Sequence, residues 1–219
     1  MLLRRSFLHS LLALMASLLF GLNAYAAEAK NIVRVLDPPR PTENPGKIEV
    51  VEFFSYGCPH CAEFAPVLDK WAAKQQKDVV LRRVPVSFGR PAWVNMARLF
   101  HALEANGQLE KLDHEIFEAI HKERVNLFDP ETLKRWVGKR GLDEAKFGDL
   151  LNSFAVQNKV KMSDMTAVAN RIDGVPIIVV NGVYVIASDA GFDAMLEMVD
   201  KKIAEIRASN RPAPKSTKK

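Results

Sequence analysis

The 219-residue chain contains two cysteines, and they stand three positions apart in Cys58-Pro59-His60-Cys61. A pair at this spacing can supply half of a tetrahedral zinc site or can exchange a disulfide with another protein. No other cysteine exists to complete four ligands, and His101, His114 and His121 show no sequence pairing with the motif. A loop closed between such near neighbours also staples almost nothing, so a structural disulfide is a poor explanation. Disulfide exchange needs one accessible cysteine of low pKa and one sheltered partner, because the attacking species is a thiolate.

The local plan of the chain supplies that asymmetry. Ile48 to Tyr56 is a nearly continuous apolar, β-branched and aromatic run, as in a strand buried on both faces, and Gly57 ends it. From Cys58 to Gln76 the residues Cys61, Phe64, Ala65, Leu68, Trp71 and Ala72 repeat at helical spacing. Cys58 therefore falls at the helix cap, where free backbone N–H groups and the helix dipole favour an anion. Pro59 suits the first helical position, Cys61 lies on the buried stripe, and His60 places a donor or positive charge beside the sulfur. Strand before and helix after favour redox chemistry over metal binding.

Beyond the motif, Val79 to Phe88 reads as a strand ending near Pro85. No strand signal follows from Pro91 to about Arg171, where breaks at Asn106-Gly107, Asn126 to Pro130 and Gly138 to Gly141 divide an inserted or appended helical unit. Ile177 to Val180 and Val183 to Ile186 flank Asn181-Gly182, the dipeptide of a type I′ hairpin. A last helix is expected from about Gly191 to Arg207, and a short strand near Ile32 to Leu36.

The first residues read as an export leader: Arg4 and Arg5, an apolar run from Leu11 to Leu22, and Ala24-Tyr25-Ala26 as a cleavage triplet. Arg4 to Leu8 also resembles a twin-arginine signal. Of the formal charge of +5, two units belong to Arg4 and Arg5 and four to Arg211, Lys215, Lys218 and Lys219, leaving the body near −1. The basicity is terminal rather than a patch, which argues against nucleic acid.

Taken together, Glu52-Phe53-Phe54-Ser55-Tyr56, the Cys-Pro-His-Cys motif, Val84 to Phe88, the helical stretch and Val175-Pro176 before the hairpin resemble the DsbA-type thiol:disulfide oxidoreductases of the thioredoxin superfamily. The resemblance implies an α/β thioredoxin fold with an inserted all-helical domain. Its expected boundaries are a signal peptide over 1–26, a discontinuous thioredoxin-like domain over 27–90 and 172–207, helices over 91–171 and a disordered basic tail over 208–219. It further implies that Cys58 is the attacking and leaving sulfur, Cys61 its buried partner and His60 the residue that tunes the pair. Pro176 would be a cis proline facing the motif, with the Val175 backbone pairing with bound peptide.

Glu52 shares a strand face with Val50 and Phe54, an odd place for a carboxylate. It resembles the family's buried acid, which assists proton transfer near the second cysteine; the alternative reading is a structural ion pair. Arg83 falls where relatives often carry lysine, and since arginine does not release its proton, only a charge-neutralising role carries over. No metal and no cofactor beyond the Cys58–Cys61 disulfide are expected. The implied partners are unfolded or partly folded exported proteins with free thiols and a DsbB-type quinone-linked membrane oxidase, the chain acting as a periplasmic monomer. Trp136, Phe147, Phe154, Met162 and Met165 read as core of the helical unit, with the lining of a peptide groove as the alternative, and His101, His114 and His121 as surface or helix-face residues. Pro66, inside the first helix, is expected to kink it.

Overall fold

The computed structural model describes residues 31–209. The expected leader and nearly all of the basic tail lie outside them. Five strands form one sheet in the order β1-β5-β4-β2-β3: β1 (Asn31–Val35), β2 (Ile48–Phe54), β3 (Val79–Pro85), β4 (Ile177–Val180) and β5 (Tyr184–Ser188). Only β2 and β3 run parallel, joined through helix α1 (Pro59–Ala72). Every residue of β2 is buried, as a central strand covered on both faces requires. β3 is an edge strand, so Pro85 can close it without breaking a central ladder.

Five helices lie between β3 and β4: α2 (Pro91–Ala105), α3 (Leu109–His121), α4 (Pro130–Gly138), α5 (Glu144–Leu151) and α6 (Phe154–Ala169). Their boundaries follow side-chain chemistry. Asp129, Asp143 and Ser153 each cap a helix by accepting from a backbone N–H three residues on, and Pro130 occupies a first position. Gly107 and Gly141 take positive φ just past the ends of α2 and α4. In the β4–β5 hairpin both Asn181 and Gly182 have positive φ, the type I′ geometry expected of that dipeptide. Gly182 is also the tightest backbone approach, since a Cβ there would lie 2.1 Å from the Arg40 carbonyl oxygen. Helix α7 (Phe192–Ser209) closes the chain.

Three apolar clusters hold these layers together. One sheet face packs through Val50, Ile178 and Ile186 against Phe64 and Leu68 of α1 and Met195 and Val199 of α7. The opposite face joins Val51, Phe53 and Val179 to Ala167 of α6 and to Ile172. The third cluster fills the helical layer with Leu99, Leu112, Ile116 and Val137, and extends through Phe54 and Tyr56 to Cys58 and Cys61. The motif thus sits where sheet and helical layer meet. Helix α1 runs through Pro66 without interruption. Among the described residues, no helix is long and apolar enough to cross a membrane.

Candidate active site

Cys58 caps α1 with extended backbone (φ −97, ψ 117), and Pro59 takes the first turn. The Ser55 carbonyl fixes the approach by accepting from Cys58 N at 3.0 Å, while Ser55 Oγ accepts from Gly57 N at 3.2 Å. Gly57 leaves room for the Trp93 indole: a Cβ there would lie 2.6 Å from Trp93 Nε1 and displace the ring. The backbone N–H groups of His60 and Cys61 and the thiol of Cys61 all favour the Cys58 thiolate. The Cys61 hydrogen bond is the largest of these, partial burial opposes them, and the positive charge of His60 comes last; together they lower Cys58 from 9.0 to about 6. Cys61 is fully buried, and burial together with the neighbouring Cys58 pushes its thiol far up. Both cysteines are free thiols in this structure.

The Val175–Pro176 peptide is cis and brings the loop before β4 against the motif, with the Cys58 Sγ thiol 3.6 Å from the Val175 carbonyl oxygen. Beside it opens a groove of about 470 Å³ bordered by His60, Pro176, Ser188, Phe192 and Met195. The His60 side chain is exposed, with Nδ1 3.4 Å from Glu63. It borders the groove.

Behind the motif lies a buried charge cluster. The parallel register sets Arg83 of β3 opposite Glu52 of β2, and Arg83 Nε donates to Glu52 Oε2 at 2.6 Å. Arg83 Nη1 donates to Asp113 of α3, whose other oxygen accepts from the hydroxyl of buried Tyr56. The guanidinium lies 4.4 Å from the centre of the Phe54 ring. Glu52 is fully buried; desolvation raises its pKa against the opposing pull of Arg83. His121 Nε2 completes the surroundings, 2.7 Å from the Tyr56 carbonyl oxygen.

A sequence profile described as the DSBA-like thioredoxin domain matches residues 49–200. The chain belongs to this family. It is 40% identical over 200 residues to the thiol:disulfide interchange protein DsbA of Pseudomonas aeruginosa, covering 89% of this chain and 93% of that protein. With the protein of the same name from Bordetella parapertussis the identity is 38% at the same coverage. The crystal structure of Pseudomonas aeruginosa DsbA superposes with a TM-score of 0.76 at 37% identity, over 84% of this chain and 96% of that one. The oxidoreductase DsbA of Xylella fastidiosa gives 0.75 at 33%, over 80% and 95%. Both the α/β class and the thioredoxin fold expected from sequence are those of this family.

Within this DSBA-like frame, the eight residues singled out from sequence fall into two groups. Cys58 reaches the Val175 carbonyl, His60, Val175 and Pro176 border one groove, Pro59 opens the helix between Cys58 and His60, and Cys61 is buried. Glu52 and Arg83 pair directly behind it. Sequence reasoning missed Asp113 and Tyr56. A signal for Asp113 was present, because it stands with Leu112, Ile116 and Phe117 on the buried face of α3. It missed Trp93 as well, whose packing against Gly57 has no local signature.

Two expectations are corrected. His101 is buried, its Nε2 2.9 Å from Ser163 Oγ, because α2 packs that face against α6. Phe154, Met162 and Met165 are exposed while Trp136 and Phe147 are buried, since only one side of α6 meets its neighbours. Among the described residues, no group of three His, Cys, Asp or Glu side chains is arranged to hold a metal ion.

Proposed function

We propose that the chain is a periplasmic disulfide donor that oxidises cysteine pairs of exported proteins through Cys58 and Cys61. As a member of its family it is a thiol:disulfide oxidoreductase. The observation that carries the direction of exchange is the split between the two sulfurs: Cys58 lowered to about 6, Cys61 raised and sealed. A reduced pair with one comfortable thiolate is favoured over its disulfide, which biases exchange toward oxidation of the substrate.

In the proposed cycle a substrate thiolate attacks Cys58 Sγ. The Cys58–Cys61 bond breaks and its electron pair passes to Cys61 Sγ, which takes a proton through Glu52 and ends as a thiol. The substrate's second thiol loses its proton to solvent and attacks the mixed disulfide, and Cys58 leaves as thiolate. Two electrons have moved from substrate to enzyme. The Val175 backbone beside the cis proline offers an extended peptide its pairing edge, and the adjoining groove takes apolar side chains. Arg83 neutralises Glu52 but, holding its proton, does not relay it. A quinone-linked membrane oxidase of the DsbB type would restore the disulfide. Export rests on the leader with Arg4, Arg5 and the Ala24-Tyr25-Ala26 triplet.

The test is turnover. A two-cysteine peptide, catalytic amounts of the chain and glutathione disulfide as terminal oxidant should give multiple rounds of peptide oxidation, abolished by Cys58→Ser. Oxidation that survives Cys58→Ser refutes the reading.

A further inference from the structure

The guanidinium of Arg83 is used unevenly. Its Nε–Nη2 edge could grip both oxygens of a carboxylate, yet only Nε reaches Glu52. Nη2 and Glu52 Oε1 are both buried and have no hydrogen-bond partner among the described residues. On the other flank, Nη1 is committed to Asp113, which is itself held by the Tyr56 hydroxyl. Buried polar atoms are rarely left without partners, and two such atoms on adjacent groups call for an explanation.

We propose that Asp113 is a positioning residue for the redox reaction: by tethering one flank of Arg83 it keeps the guanidinium from closing on both oxygens of Glu52, and so leaves Oε1 free to exchange a proton with Cys61. The inference rests on the reading of Glu52 as the proton partner of Cys61. During substrate oxidation the proton passes from Glu52 to Cys61 Sγ as the disulfide electron pair arrives there. During reoxidation it returns from the Cys61 thiol to Glu52 as Cys61 attacks the mixed disulfide at Cys58. The helical layer thereby takes part in chemistry on the sheet, since Asp113 belongs to α3 and Glu52 to β2.

The titratable groups facing Glu52 are Arg83 from β3, Asp113 from α3, Tyr56 after β2, and Cys61 and Asp69 from α1, while β4 sets the apolar Ile178 beside it. Asp113 acts on Glu52 in two ways with the same sign. Its negative charge disfavours a second one nearby, and its hold on Arg83 withholds a second hydrogen bond from the carboxylate. Asp113→Asn keeps the shape, removes the charge and frees Arg83 to close on Glu52.

The experiment follows the Glu52 side-chain carboxyl by carbon NMR titration in the reduced chain. Alongside it, the rate at which Cys61 displaces glutathione from a Cys58–glutathione mixed disulfide is measured from pH 5 to 9. Asp113→Asn should move the Glu52 midpoint down by about one pH unit and slow the Cys61 step by about three- to tenfold at pH 7. The Cys58 thiolate midpoint should stay where it is, and Asp113→Glu should restore both readouts. In a Glu52→Gln background, Asp113→Asn should add nothing to the rate. An unmoved Glu52 midpoint, or a rate effect that persists without Glu52, overturns the role of Asp113. If Glu52→Gln alone leaves the Cys61 step unchanged, the reading of Glu52 fails, and the proposal built on it fails with it; the NMR midpoint still separates that outcome from a tether that does not exist.

Discussion

Replacing Cys61 with alanine tests what stabilises the Cys58 thiolate. The hydrogen bond from the Cys61 thiol is the largest cause of the fall from 9.0 to about 6, ahead of the backbone N–H groups and of the His60 charge. At pH 7 a thiol with a pKa of about 6 is ~90% ionised, against ~1% at 9.0, which favours the dithiol form roughly elevenfold. That factor corresponds to at most about 1.4 kcal/mol, or ~30 mV in the potential of a two-electron couple, and solvent screening at the open side of the sulfur reduces it. Cys61→Ala removes the donor and should raise the Cys58 midpoint by about one to two units, leaving half or less of the sulfur ionised at pH 7. Cys61→Ser keeps a donor and should move it less, as should His60→Ala, because the imidazole is exposed and beside Glu63. Thiolate absorbance near 240 nm against pH, paired with alkylation rates, reads the midpoint. A midpoint that stays near 6 in Cys61→Ala, or a larger shift in His60→Ala, refutes this account.

Gly57→Ala should displace the Trp93 indole, because a Cβ there would lie 2.6 Å from its nitrogen. The expected cost is about 1–3 kcal/mol in denaturant unfolding with altered tryptophan emission, and an unchanged midpoint would contradict it. Arg83→Met leaves Glu52 and Asp113 facing each other without the cation and should cost about 3–5 kcal/mol; a neutral result would mean the cluster is not electrostatically coupled. The Cys58 pKa is depressed in the fold, so its contribution to the stability of the dithiol form is complete above about pH 9 and lost as pH falls through about 6. The potential should accordingly fall by ~60 mV per pH unit below pH 6 and by ~30 mV per unit above it, and a single slope across pH 6 would be inconsistent with that pKa.

The site was legible where chemistry and local periodicity coincide. Cys58 at a helix cap and Cys61 on the apolar stripe could be read from spacing alone, because helix geometry separates a cap position from one on the buried stripe; that Cys58 is itself only 6% exposed follows from the packing around the cap and not from spacing. The cis geometry of Val175–Pro176 came from resemblance, since a proline's isomer is not encoded in its immediate neighbours. Arg83 opposite Glu52 depends on strand register, and Asp113 on the docking of α3 over that strand pair. Both are tertiary facts that no window of sequence contains. The same cause explains His101 and Met165: amphipathic helices announce that a face is buried, but which neighbour covers it, and how much of it, is set by packing.

The reduction potential of the Cys58–Cys61 pair, measured by equilibrating the chain in glutathione buffers, tests the central claim most directly. A disulfide donor requires a potential near −120 mV, the known scale of DsbA and not a value calculated from this structure, so that oxidation of substrate thiols runs strongly downhill. A potential near −270 mV, the scale of thioredoxin, would make the chain a reductant and contradict the account.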